Sequence, residues 1–258
     1  MLRKDLDIAG YYRSKFDVKV VGVTGSVGKT TTKDMIALVV AQKYKTLKTQ
    51  GNHNNEIGMP QTLFGLDSSY EAAVIEMGMS HQGEISRMSM SCQPDVAVIT
   101  NIGISHIENL GTQENILKAK LEILDGAAYD APLILCRDDK LLAGVQLHSD
   151  RKVYYYSVSK KDCDVYASGV KTVDNSITFT INYEGGKIAA QINCLGEHNV
   201  KNALAAFCVG LALDIPPEDI VKGIAQFKPE GLRQNVTVID GVTYIVDCYN
   251  AAPDSMKA

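Results

Sequence analysis

The residues best equipped for chemistry are Gly25, Ser26, Val27, Gly28, Lys29, Thr30 and Thr31. They follow an apolar run, Val18-Lys19-Val20-Val21-Gly22-Val23, and lead into a stretch with helical spacing. Glycines at 25 and 28 permit a tight turn in which successive backbone N–H groups converge on phosphate oxygens. A helix starting near Lys29 aims its positive end at the same point. Lys29 brings a mobile charge for terminal phosphates, and the Thr30 hydroxyl suits Mg2+. The spacing departs from the commonest form of this motif. Where that form has its first glycine, this chain has Val23, so the pattern reads Thr-Gly-x-x-Gly-Lys-Thr-Thr. A plain glycine turn between strand and helix is the bland alternative, but it does not call for a Lys-Thr pair at the helix head.

Further candidates stand at the ends of later apolar runs. Tyr70–Gly78 ends in a single carboxylate, Glu76. Asp95–Asn101 ends at Thr100-Asn101, with His106 a few residues on. In open α/β sheets ligands collect at the carboxyl ends of strands, which puts Thr30, Glu76 and His106 on one edge. Alone, Glu76 reads equally as a strand-end salt bridge, and His106 as a structural histidine. Between them lies an amide-rich stretch holding Gln50, Asn52, Asn54, Asn55 and Gln61. Amides donate and accept, so such a loop suits a ligand of mixed polarity, although an Asn/Gly turn has the same composition. Lys118 and Lys120 are two apart on an expected helix, so at most one points at a site. His198, Asn199 and Asn202 form a polar head on an otherwise apolar helix, as capping or as ligand contacts.

These residues need a scaffold, and the pattern of the chain supplies an α/β one. A short amphipathic helix over 2–16 leads into the first strand. A helix over 30–43 follows the loop, then a strand over Tyr44–Thr49 and the strands ending at Glu76 and Asn101. Thr112 caps a helix running to about Ala127. Pro132–Arg137 reads as a strand and Leu141–Leu147 as a short helix. After Lys152 the alternation changes to period two, with a hairpin at Glu184-Gly185-Gly186-Lys187, which predicts a small antiparallel subsheet over 152–195 beside the parallel one. Helices start at His198 and at Pro216-Pro217, and two strands flank Gly241. Asp254-Ser255-Met256-Lys257 reads as a helix just begun, so the chain is expected to be truncated there.

Composition narrows the function classes. The 258 residues carry a net charge of -4, which does not suit a nucleic-acid footprint. No apolar run is long enough for a membrane span, and the first residues are not a signal peptide. The six cysteines form no Cys-x-x-Cys pair and sit mostly in apolar runs, as expected of reduced thiols in a cytoplasmic protein.

Taken in order, the motifs resemble those of the Mur ligases of peptidoglycan synthesis. The markers are Thr24–Thr31, Gly51-Asn52-His53-Asn54-Asn55-Glu56-Ile57-Gly58, Glu76-Met77-Gly78 with Gly83-Glu84-Ile85, Asn101-Ile102-Gly103 through His106, Ala119-Lys120-Leu121-Glu122-Ile123, His198-Asn199-Val200-Lys201-Asn202-Ala203, and Asp247-Cys248-Tyr249-Asn250. The resemblance runs from about Phe16 to the last residue. It implies a P-loop-type, mostly parallel sheet flanked by helices. The expected division is a leading helix or linker over 1–16, a central ATP-binding domain over 17–230, and the beginning of a carboxyl-terminal Rossmann-like domain over 231–258.

The resemblance also implies ATP-dependent amide-bond synthesis through an acyl phosphate, with UDP-N-acetylmuramoyl-tripeptide and D-Ala-D-Ala as partners. Gly25 to Thr31 would cradle the nucleotide, together with Asn202, Arg233 and Asp247. Thr30 and Glu76 would hold one Mg2+ and His106 a second. Lys120 would be carbamylated and serve as a metal ligand, so that Lys29, His106 and Lys120 form the catalytic group. Asn52, Asn54, Asn55 and Asn101 would contact substrate. A monomer is expected, and so is a chain that does not complete ligation alone. Gly231-Leu232-Arg233 departs from the commoner Pro-Gly-Arg form, and Ala252 stands where asparagine is usual. Another ligase of the superfamily, such as a folylpolyglutamate synthase, and a non-catalytic ATP-binding module are the alternatives.

Overall fold

The protein is described from a computed structural model that covers residues 2–147, 150–229, 231, 233–249, 251 and 256. Asn250, the last residue of the final marker, and Ala252, Pro253, Asp254, Ser255 and Lys257, which include most of the expected final helix start, lie outside the described residues.

Helix α1 (Leu2–Arg13) leads into strand β1 (Lys19–Thr24), and the glycine loop then opens α2 (Lys29–Val40). A short edge strand, β2 (Thr46–Lys48), precedes α3 (Gly58–Leu63) and β3 (Ala72–Glu76). Helix α4 (Glu84–Cys92) connects to β4 (Val96–Ile99). After β4 come a single turn, α5 (Ile107–Leu110), and α6 (Gln113–Leu121). Strands β5 (Leu133–Cys136) and β6 (Val153–Ser157) follow, then β7 (Val165–Val173), β8 (Ser176–Tyr183) and β9 (Gly186–Ile192). Helices α7 (His198–Ala212) and α8 (Pro217–Ala225) return to the parallel half, and β10 (Asn235–Ile239) and β11 (Val242–Val246) form a separate hairpin.

The order β2-β3-β1-β4-β5-β6-β7-β8-β9 makes one sheet. Strands β1, β3, β4 and β5 are buried almost end to end because helices cover both faces, and their sequences are accordingly apolar without alternation. Helix α2 packs on α7 and α8, while α1 packs on α3 and α4. Register sets the site: Val23 pairs with Glu76, and Thr24 with Ile99. The carboxyl ends of β1, β3 and β4 therefore finish side by side.

Several elements differ from the sequence reading. The antiparallel strands do not form a subsheet beside the parallel one. They continue it, because β7 joins β6 in parallel over two residue pairs before β8 and β9 reverse direction. The expected Leu141–Leu147 helix is a single 3-10 turn, Leu142–Gly144. The helix capped by Thr112 ends at Leu121 and tightens into a 3-10 turn, Glu122–Leu124. Helices α3, α4 and α5 were not read from the sequence. Helix α4 has a legible signature, with Gly83 ahead of it and Ile85, Met88 and Cys92 buried at helical spacing.

Candidate functional site: a phosphate loop facing a buried carboxylate

The loop between β1 and α2 is built from groups that satisfy one another. Gly28 caps α2 in the left-handed region at φ 78, a conformation that glycine adopts without strain. A Cβ on Gly25 would collide with the Thr100 hydroxyl, so the loop needs glycine there as well. The Ser26 hydroxyl accepts from the Gly103 N–H at 2.8 Å, and the Thr100 hydroxyl donates to the Val27 carbonyl at 2.8 Å. Asn101 clamps Val27 from both sides: its Oδ1 accepts from the Val27 N–H at 3.0 Å, and its Nδ2 donates to the Val27 carbonyl at 2.9 Å. Asn101, expected to contact substrate, braces the loop and also lines the cleft.

Lys29 donates from Nζ to the Gly25 carbonyl at 3.0 Å and the Ser26 carbonyl at 3.2 Å. Burial lowers its pKa, Glu76 opposes that shift, and Arg233 adds to it. The ammonium is therefore held on the loop carbonyls, with an acid and a second cation acting on it in opposite directions.

On the other side stands Glu76, 1% exposed at the end of β3. Its Oε1 accepts from the Thr30 hydroxyl at 3.2 Å and from Asn54 Nδ2 at 2.7 Å. Its Oε2 is buried and has no hydrogen-bond partner. A buried carboxylate oxygen without a partner is costly and marks a position for a cation. Among the described residues no group of three or more His, Cys, Asp or Glu is arranged to hold a metal ion. The donor set is therefore Thr30 and Glu76, too sparse for an all-protein cage. It fits Mg2+, which takes one or two protein oxygens and completes its shell with phosphates and water.

Lys120 on α6 is 3% exposed, while Lys118 on the same helix is exposed, as their spacing predicts. The Lys120 ammonium has no hydrogen bond or ion pair among the described residues. Burial, with Lys29 adding to the effect, lowers its pKa well below the ordinary lysine value. His106 occupies the left-handed region at φ 64, just ahead of α5. Its pKa is lowered by burial, then by Lys120 and Lys29, so the three bases form one electrostatic group.

The cleft on the nucleotide side measures about 940 Å³. Val27, Gly28, Thr30, Thr31, Asn101, Asn202, Arg233 and Asp247 all line it, as do His198 and Tyr249. The head of α7 is wired to the loop helix. Thr32 Oγ1 donates to Asn202 Oδ1 at 3.0 Å, and Asn202 Nδ2 to Asn199 Oδ1 at 3.0 Å. Asn199 then donates to Gln234 Oε1 at 2.7 Å. The Arg233 guanidinium lies 4.0 Å from the Tyr249 ring centroid.

The amide-rich stretch separates into different roles. Asn54 holds Glu76. Asn55 Oδ1 accepts from the Ile57 and Gly58 N–H groups, so its side-chain oxygen caps α3. Asn52 is exposed and lends its carbonyl to the Asn54 N–H at 2.7 Å. Sequence reasoning missed Thr49, Lys33 and Glu122. Thr49 Oγ1 accepts from the Glu76 N–H, and Glu122 accepts from the Gly83 and Ser86 N–H groups at the start of α4. A lysine inside an apolar helix was the one available sign for Lys33.

A phosphate loop at the edge of a mostly parallel sheet, with an acid at the end of the neighbouring strand, defines an α/β nucleotide-binding module. The Mur ligase middle domain family model matches residues 23–210, and the chain belongs to the Mur ligase family. The UDP-N-acetylmuramoyl-tripeptide–D-alanyl-D-alanine ligase of Bacillus subtilis is 43% identical over 252 residues, covering 97% of this chain and 54% of the relative. The crystal structure of MurF from Acinetobacter baumannii superposes with a TM-score of 0.93 at 35% identity, over 98% of this chain and 56% of that one. MurF ligase from Thermotoga maritima, in complex with ADP, superposes at 0.90 with 28% identity, over 99% and 59%. The chain spans about half the length of the curated relatives it matches.

Proposed function

We propose that this chain carries the ATP-binding and phosphoryl-transfer site of a ligase that joins D-alanyl-D-alanine to UDP-N-acetylmuramoyl-tripeptide. The observation that carries the reading is Glu76: a buried carboxylate with one unpartnered oxygen, hydrogen-bonded to Thr30 of the phosphate loop. The likeness to UDP-N-acetylmuramoyl-tripeptide–D-alanyl-D-alanine ligases supplies the substrates.

In this reading the N–H groups of Gly25 to Thr31 surround the ATP phosphates. Asn202, Arg233 and Asp247 hold the rest of the nucleotide, and Asn52 stays available to substrate. Thr30 and Glu76 would hold one Mg2+ and His106, with Lys120 once carbamylated, a second; Mg2+ there would neutralise charge on the phosphate oxygens. Lys29 leaves the loop carbonyls for the transferring phosphoryl group, where its charge counts most. The substrate carboxylate attacks the γ-phosphorus and ADP departs. The amine of D-Ala-D-Ala then attacks the acyl carbon, and inorganic phosphate leaves.

Lys120 with a depressed pKa is partly a free amine, which can add to CO2. An N–C bond forms, a proton is released, and the cation becomes an oxygen ligand for a hard metal. In 13C-bicarbonate, wild-type protein should show a carbamate resonance that Lys120→Met lacks.

The reaction is tested in a chimera in which these 258 residues replace their counterpart in the Bacillus subtilis ligase. ADP release that requires both UDP-N-acetylmuramoyl-tripeptide and D-Ala-D-Ala is expected. A folded chimera that releases no ADP with both substrates would count against the reading.

A further inference from the structure

We propose that Lys33 is a positioning residue for the Glu76 carboxylate, acting through Thr49. This inference rests on the reading of Glu76 as a Mg2+ ligand. Lys33 lies on α2 one turn beyond Lys29 and is 2% exposed. Its Nζ donates to the Thr49 carbonyl at 2.8 Å and lies 3.0 Å from Asp34 Oδ1, an oxygen shared with Lys48 at 2.7 Å. A buried ammonium is costly, and an apolar side chain could pack there without that cost.

What the charge secures is Thr49. That residue is fully buried and sits one position past β2, a three-residue edge strand whose ladder is too short to locate it alone. The Thr49 N–H donates to the Val74 carbonyl at 3.0 Å. Its carbonyl takes Lys33, and its hydroxyl oxygen accepts from the Glu76 N–H at 3.0 Å. Helix α2 thus grips residue 76 twice. Thr30 touches the carboxylate, and one turn later Lys33 fixes the backbone through Thr49. The separation between phosphate loop and carboxylate is set before any ligand arrives, as a preorganised cation site requires.

The test measures ADP affinity in EDTA and in Mg2+ and takes the ratio. In the wild-type chain Mg2+ tightens ADP binding, and Glu76→Gln abolishes the difference. Lys33→Met and Thr49→Val should each shrink the ratio about tenfold, the effect expected of a group that orients a metal ligand. Thr49→Ser should keep the ratio. The double variant should lose little more than either single one, because both changes cut one chain of contacts. A general loosening of the fold weakens both affinities together and leaves the ratio alone. If Glu76→Gln removes the Mg2+ effect while Lys33→Met and Thr49→Val retain it, the role of Lys33 is overturned and the metal reading stands. If the wild type shows no Mg2+ effect, or Glu76→Gln keeps it, the metal reading falls and this inference with it. Should Lys33→Met not fold by circular dichroism, the Thr49→Val and Thr49→Ser pair decides.

Discussion

On the phosphate side, the Val27 N–H and carbonyl, the Ser26 and Thr100 hydroxyls and the Lys29 ammonium all have partners within the protein. On the carboxylate side, Glu76 Oε2 has none, and Lys120 is buried without an acceptor among the described residues. The contrast teaches which part is complete before binding. The loop is a finished anion cradle that exchanges its own contacts for phosphate. Glu76 and Lys120 are each left without a partner for the group they bury, which in the proposed reading a cation would meet at Glu76 and carbamylation at Lys120.

The sharpest break is at Lys29. Lys29→Ala should lower ADP-forming activity of the chimera by about 10³-fold, the scale for removing a preorganised charge from a transition state; steady-state ADP release reads this. Next comes the carboxylate side. Asn54→Ala removes the shorter of the two hydrogen bonds that orient Glu76 through Oε1, and the Mg2+ concentration for half-maximal activity should rise about 10–100-fold. A smaller change is expected at Asn101, whose removal leaves the Val27 N–H unmet and its carbonyl with the Thr100 hydroxyl alone. Asn101→Ala should weaken ADP binding by about 1–3 kcal/mol, measured by calorimetry. If Asn101 contacted only substrate, ADP affinity would stay put.

The smallest effect has the opposite sign. Lys120→Met should raise the melting temperature by a few degrees in CO2-free buffer, because it removes a buried cation that has no partner among the described residues. The folded-state pKa of Lys120 is depressed, so the unfolded chain binds the proton more strongly. The wild type therefore loses stability as pH falls below the ordinary lysine value of about 10.4. The advantage of the methionine variant grows in that direction until the depressed pKa is reached. Melting curves at pH 7 and pH 10 check it.

Much of this was legible in the sequence, for local reasons. Gly25, Gly28, Lys29 and Thr30 lie within one turn, and Glu76 and Asn101 sit where apolar strands stop. What was not legible depends on distant pairing. Asn54 and Asn55 are adjacent and chemically identical, yet one meets Glu76 and the other caps α3, which only the path of the chain decides. Lys33 and Thr49 are ordinary residues until the strand order brings β2 beside β3. The continuity of the sheet through β6 and β7 rests on two residue pairs, Tyr156 with Val165 and Ser157 with Tyr166, too few to leave a periodic trace.

The most direct test of the account is a crystal structure of the protein with ADP and Mn2+, using anomalous scattering to find the metal. The account predicts a manganese peak bridging Thr30 Oγ1, Glu76 and a phosphate oxygen, with the phosphates on the N–H groups of Gly25 to Thr31. ADP seated in the loop with no metal at Glu76, or phosphates bound away from the loop, would contradict it.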